Sequence, residues 1–155
     1  MSVELKSLEP VKYVVGFMFD TFMNQVVLVR KERPEWQAGR INGVGGHVEN
    51  GESFLAAMIR EFGEETGVYE SGWRTLCHLK ALPEEGPPVE VMFFFARAGD
   101  EKIASVHTTT DEQIVLVKSQ YSDEMLPNLE WLLPMAKSIN KGEDRATSFT
   151  ILEVY

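Results

Sequence analysis

Glu61, Glu64 and Glu65 stand in the run Arg60-Glu61-Phe62-Gly63-Glu64-Glu65, and a helix through this run gathers all three carboxylates. At about 100° per residue they fall within an arc of roughly 100°. Like charges three and four residues apart destabilise a bare helix by about 0.2–0.5 kcal/mol per pair. A bound cation removes that cost. Hard oxygen donors suit Mg²⁺ or Mn²⁺, and Mg²⁺ commonly takes a few carboxylates together with waters and substrate phosphates.

The flanking residues give that helix its ends and its buried side. Asn50-Gly51-Glu52-Ser53 reads as a turn with Ser53 as N-cap and acidic Glu52 near the positive end of the helix dipole. Phe54, Leu55, Met58, Ile59 and Phe62 recur at helical spacing as a buried stripe, and Gly67 sits where a left-handed residue ends a helix. Upstream, Asn42-Gly43-Val44-Gly45-Gly46-His47 is too rich in glycine for a regular strand interior. It is expected to let backbone approach a ligand closely, with a glycine carbonyl, that of Gly46, available to a metal.

The pattern G-x5-E-x7-R-E-U-x-E-E-x-G-U, with U an apolar residue, is met by Gly46, Glu52, Arg60, Glu61, Phe62, Glu64, Glu65, Gly67 and Val68. Through these residues the chain resembles the Nudix hydrolases. Phe62 is bulkier than the aliphatic residue usual at its position, which touches packing and leaves the carboxylates alone. The resemblance implies an α/β/α sandwich with a mixed β-sheet and hydrolysis of a diphosphate linkage in a nucleotide, with Mg²⁺ as cofactor and Mn²⁺ as substitute. Attack on phosphorus needs a positioned water, charge neutralisation and a proton acceptor. By resemblance Glu61, Glu64 and Glu65 hold the metal, Glu61 or Glu64 also acts on the water, and Arg60 orients Glu61 or fixes the turn. Glu52 supports the site. Many relatives take a further acid from a loop before a late strand, and Glu112 fits that position best, with Glu84, Glu85 and Asp111 as alternatives.

Two segments speak to the substrate. Gly39-Arg40-Ile41-Asn42-Gly43-Val44-Gly45-Gly46 looks like the corresponding segment of MutT-like enzymes, which hydrolyse oxidised purine nucleoside triphosphates. In that resemblance Asn42 hydrogen-bonds a purine edge. Pro127-Asn128-Leu129-Glu130-Trp131-Leu132-Leu133-Pro134 is similar to their later helical segment, but Asn128-Leu129 replaces the acidic pair that would read the base. The departure argues against a preference for oxidised guanine. Asn128 and Trp131 are substrate-binding candidates, with Trp36 as a further pocket wall. Hydrolysis of an ADP-sugar or dinucleotide polyphosphate, and a Nudix-fold module that binds nucleotides without turnover, are the alternatives.

The remaining sequence sets the frame. With 155 residues the chain is expected to form one domain, residues 1–155. Cys77, the single cysteine, has no partner and reads as a small buried residue. His47, His78 and His107 lack the spacing of a zinc site. The N-terminus shows no secretory signal and no run is long enough for a membrane span, so a cytoplasmic location is expected. The net charge of −9 and pI near 4.8 oppose stable nucleic-acid binding through a broad basic surface. The expected partner is a nucleotide, whose phosphates Arg30, Lys31, Arg33 and Arg40 are placed to meet; a homodimer is left open.

Strands are expected at Val11–Phe19 and Gln25–Arg30 around a turn at Asp20–Asn24, then at Trp73–Leu82 and Val89–Ala98 around a loop at 83–88. Ile114–Val117 continues the sheet, and Phe149, Ile151 and Val154 suggest a terminal strand. Leu129, Leu132, Leu133, Ala136 and Ile139 mark a helix over Leu126–Ile139, which Pro134 is expected to kink or split.

Overall fold

The computed structural model describes residues 8–141 and the backbone of 149–154. Its strands are β1 (Val11–Asp20), β2 (Gln25–Arg30), β3 (Ile41–Asn42), β4 (Val44–His47), β5 (Arg74–Leu82), β6 (Val89–Ala98), β7 (Gln113–Lys118) and β8 (Phe149–Val154). The helices are α1 (Phe54–Thr66), α2 (Asp100–Ser105) and α3 (Leu129–Lys141).

β1 organises the sheet. Along one edge it pairs in parallel with β6 over its whole length. Its other edge is divided: Tyr13–Gly16 pair with β4, and Met18–Phe19 pair with β2, both antiparallel. The order β3-β2-β1-β6-β5-β8, with β4 added to β1 and β7 to β2, gives a mixed eight-stranded sheet.

Period-two alternation decides what each face buries. Phe17, Phe19, Val26, Leu28, Phe93 and Phe95 point to a core closed by Leu129, Leu132, Leu133 and Ala136 of α3. Their neighbours Val14, Met18, Val27, Val29, Phe94 and Ala96 point to the opposite core, closed by Ala57, Met58 and Phe62 of α1. The result is the expected α/β/α sandwich. On β5 the adjacent Leu76 and Cys77 share one core because a bulge interrupts the register between Thr75 and Cys77.

Several elements differ from the sequence reading. The glycine-rich segment does form strand at β3 and β4, because β1 supplies a pairing edge for it. Leu55 leaves the expected stripe and is 42% exposed, while Ala57 is fully buried in its place. The short α2 has too few residues to show a period. The third helix begins at Leu129 rather than Leu126: Leu126 N–H donates to Ile41 C=O at 2.9 Å, so the preceding chain pairs with β3. Pro127 then keeps Leu126 out of helical geometry. Pro134 neither splits nor ends α3. Its cost of about 3 kcal/mol is outweighed by five buried apolar side chains, each contributing about 1.5–3 kcal/mol.

Candidate active site

α1 is built to aim its second half. The Ser53 hydroxyl accepts from Ala56 N–H at 3.0 Å, and Gly67 adopts φ 76° at the other end, donating to Gly63 C=O. Phe62, fully buried and edge-on to Trp73, fixes the helix's rotation against the sheet. The rotation presents Glu61 and Glu65 towards the fold and leaves Glu64 half-exposed.

Arg60 organises these acids. Its Nε and Nη2 donate to the two oxygens of Glu52 at 2.8 and 2.9 Å, in a bidentate pair. Nη1 reaches Glu61 Oε1 at 2.8 Å and Glu64 Oε2 at 3.2 Å, and Nη2 also donates to His47 C=O. The pair holds Glu52 below the usual carboxylate range and raises the Arg60 guanidinium further. One cation thus ties together the turn before α1, the end of β4 and two carboxylates of the cluster.

Gly46 closes the site from the sheet side. A methyl group there would lie 2.5 Å from the Glu61 carboxylate, so only a glycine leaves that carboxylate its position. Glu65 has a different environment. Its Oε2 is buried with no hydrogen-bond partner. Burial pushes its pKa up to about 7, opposed by Lys31 and reinforced by the charges of Glu61, Glu112 and Glu64.

Glu112, ahead of β7, is brought to this cluster but is already engaged. Lys31 Nζ donates to its Oε1 at 3.0 Å, and Glu32 N–H and Arg33 N–H donate to Oε2 at 2.7 and 3.3 Å. Burial opposes ionisation, yet these donors outweigh it and hold Glu112 below the usual carboxylate range. Asp111 pairs with Arg33 instead. Glu84 and Glu85 lie in the β5–β6 loop.

The two substrate segments meet through the pairing of Ile41 with Met125 and Leu126. Asn42 is 9% exposed; its Oδ1 accepts from Gly43 N–H at 2.8 Å and its Nδ2 donates to Gln37 at 3.4 Å. Arg40 donates to Met125 C=O, Asn128 Oδ1 is buried without a partner, and Trp131 and Trp36 are 37% and 70% exposed. Two contacts had no signature in the sequence. Gln37 steadies the Asn42 amide, and Thr109 donates to Glu64 C=O, tying the loop before β7 to α1. Both join residues whose spacing follows no helical or strand period.

The donor set fits a divalent cation: oxygens only, one of them buried and unpartnered, beside a cradle that a side chain at Gly46 would fill. Among the described residues no three His, Cys, Asp or Glu side chains are grouped so that they alone could hold a metal ion. Mg²⁺ does not require such a group, since waters and phosphates complete its shell.

The NUDIX domain family model matches residues 10–118, and the chain belongs to the Nudix family. It is a hydrolase acting on phosphoanhydride bonds, a class that generally uses divalent metal ions. No curated protein sequence matches it. Among solved structures it is similar to the MutT NUDIX hydrolase from Burkholderia pseudomallei, at TM-score 0.66 and 17% identity over 82% of this chain and 98% of the other. It is also similar to C. elegans Ap4A hydrolase, at TM-score 0.62 and 17% identity over 85% and 99%. The NUDIX domain of Shewanella oneidensis NrtR, in complex with ADP ribose, matches at TM-score 0.63 and 16% identity over 85% and 89%. At these identities the likeness is one of fold. No helix among the described residues is long and apolar enough to cross a membrane.

Proposed function

We propose that the chain is a Mg²⁺-dependent nucleoside triphosphate pyrophosphohydrolase that releases a nucleoside monophosphate and pyrophosphate, with oxidised purine nucleotides among its candidate substrates. The reading takes the whole chain as one Nudix domain acting in the cytoplasm. The observation that carries it is the pairing of β3 with the chain ahead of α3. It brings the segment that carries Asn128 and Trp131 alongside β3, which ends at Asn42 and runs on through β4 to Gly46. In this reading polar side chains of both segments meet the base, and β4 leads from them to the acidic helix.

In this reading Glu61, Glu64, Glu65 and the Gly46 carbonyl would hold the cation. When bound, Mg²⁺ or Mn²⁺ would neutralise phosphoryl charge and lower the pKa of a water. Glu61 or Glu64 accepts the proton of the attacking water, while Arg60 keeps Glu61 and Glu52 in register. Glu112 Oε1 accepts a single bond, from Lys31, so its second lone pair is the one that could join the metal ligands. Asn42 donates from Nδ2 to the base edge, Asn128 Oδ1 accepts, Trp131 stacks, and Arg40 fixes the wall through Met125.

Likeness to an Ap4A hydrolase and to a domain in complex with ADP ribose supports a second reading, hydrolysis of a dinucleotide polyphosphate or ADP-sugar. Product analysis with Mg²⁺ across a nucleotide panel separates the two. Monophosphate plus pyrophosphate supports the first; monophosphate plus sugar phosphate from an ADP-sugar, or two nucleotides from a dinucleotide polyphosphate, supports the second; and nucleotide binding without products points to a regulatory module.

A further inference from the structure

The turn between β1 and β2 is tied on three sides. Asp20 Oδ1 accepts from Asn24 N–H at 2.7 Å and Gln25 N–H at 3.0 Å. The Ser119 hydroxyl donates to Met23 C=O, and Arg97 donates to Thr21 C=O at 3.3 Å. Within this turn Met23 adopts φ 61°, left-handed geometry that a side chain seldom takes, and buries itself in the core beneath α3. Turning Met23 inward leaves the neighbouring Phe22 81% exposed. Backbone strain of this kind persists only where surrounding bonds enforce it, and it concentrates at functional sites.

Phe22 stands at the rim of a hollow of about 380 Å³ lined also by Asn24, Arg97, Lys137 and Lys141. A second depression of about 420 Å³ shares Asn24 and Lys137 and adds Lys118. Among the described residues four cations and no carboxylate line the pair, in a chain where acids outnumber bases 24 to 15. Lys137 Nζ donates to Ser119 C=O at 2.6 Å, so Lys137 and Arg97 are both positioned by carbonyls, which leaves their charges available to an anion.

The two depressions share Asn24, at the end of the ladder where Gln25 pairs with Lys118, whereas the acidic cluster lies beyond the other end, where Arg30 pairs with Gln113. Five strand residues at roughly 3.4 Å each separate the ends by about 17 Å. We propose that the two adjoining depressions together form a second, non-catalytic binding site for a nucleoside monophosphate, with the phosphate held by Arg97, Lys118 and Lys137 and the base stacked on Phe22. Its size suits a small molecule. A nucleic acid would need a longer basic track, which the acidic chain does not offer.

The test is calorimetric and NMR titration of AMP into the full chain in EDTA. AMP has no phosphoanhydride bond, so turnover does not interfere. The expected result is saturable binding that shifts the amides of Phe22, Arg97 and Lys137, and that weakens at least fivefold in Phe22→Ala and at least tenfold in Lys137→Gln combined with Arg97→Gln. Binding should survive Asn42→Ala and Glu64→Gln. Inorganic phosphate should perturb the same cations more weakly, and adenosine should bind poorly. Phe22 is exposed enough that its loss leaves the melting curve unchanged, so it keeps the test valid if the charge variants unfold. Absence of saturable binding overturns the proposal. So does binding lost in Asn42→Ala but retained in Phe22→Ala, which locates AMP at the catalytic cluster, or a short oligonucleotide that outcompetes AMP at the same residues.

Discussion

Replacing Glu65 by Gln should stabilise the metal-free protein, and by an amount that grows with pH. The buried Glu65 carboxyl has its pKa raised from an ordinary 4.5 to about 7. At 1.36 kcal/mol per unit, such a shift corresponds to about 3 kcal/mol. Because the folded value lies above the unfolded one, the contribution is intact below pH 4.5, declines as pH rises towards 7, and is absent above it. Wild type therefore carries an ionised, partnerless oxygen at pH 8, whereas the amide of Glu65→Gln never ionises. The amide also presents a buried donor much as the protonated acid does, so that term largely cancels. Unfolding in EDTA should show the variant level with wild type near pH 4.5 and about 3 kcal/mol more stable at pH 8. For a chain of this length that is roughly 6–10 °C in Tm. Mg²⁺ should reverse the order at pH 8, since the cation stabilises only the carboxylate. An equal difference at both pH values, or a less stable variant at pH 8 in EDTA, would refute the reasoning.

Gly46→Ala places a methyl 2.5 Å from the Glu61 carboxylate; hydrolysis should fall about 10²-fold or more and Mg²⁺ should raise Tm less than in wild type, with β4 still folded by circular dichroism. Glu64→Gln should also lose about 10²-fold in kcat, and because the Glu64 side chain is 54% exposed its apo stability should stay within about 0.5 kcal/mol; near-normal turnover contradicts the assigned role. Lys31→Met leaves Glu112 buried without its cation and should cost about 3 kcal/mol in urea unfolding. Glu112 is held below the ordinary range, so the stability it contributes is lost as pH falls, and Lys31→Met should begin acid unfolding at a higher pH. Asn42→Ala should lower kcat/KM for purine nucleotides by about 1–3 kcal/mol and for pyrimidines by less; an equal loss on every nucleotide makes Asn42 a residue that only shapes β3.

The parts of the molecule legible in the sequence are those with a period or a cap. β1, β2, β5, β6 and β7 follow from apolar runs, and α1 from Ser53, its apolar face and Gly67. Tertiary pairing hides the rest. Gly45 and Gly46 look unlike strand until β1 offers its free edge, and Leu126 looks like the start of α3 until its N–H is taken by Ile41 C=O. Within the site, Glu61, Glu64 and Glu65 are evident from spacing. Their unequal environments are not, because Glu65 is buried and also feels the charges of Lys31 and Glu112, distant in sequence and joined by the β2–β7 ladder.

The cations just upstream of the motif show why an acidic chain is compatible with a polyphosphate substrate. From sequence, Arg30, Lys31, Arg33 and Arg40 are the groups to meet phosphates. In the fold each has a partner: Arg30 holds Gly39 C=O and Glu124, Lys31 holds Glu112, Arg33 holds Asp111, and Arg40 holds Met125 C=O. These bonds shape the loop between β2 and β3, which sets the position of Trp36, Gln37 and Asn42. Arg60 is similarly committed among Glu52, Glu61 and Glu64. In the proposed reaction, neutralising the substrate's phosphates would then fall chiefly to a divalent ion, which would bring two positive charges to an acidic cluster and substrate alike. On that reading the protein's negative charge would draw the ion in, and the ion would let a negative substrate approach.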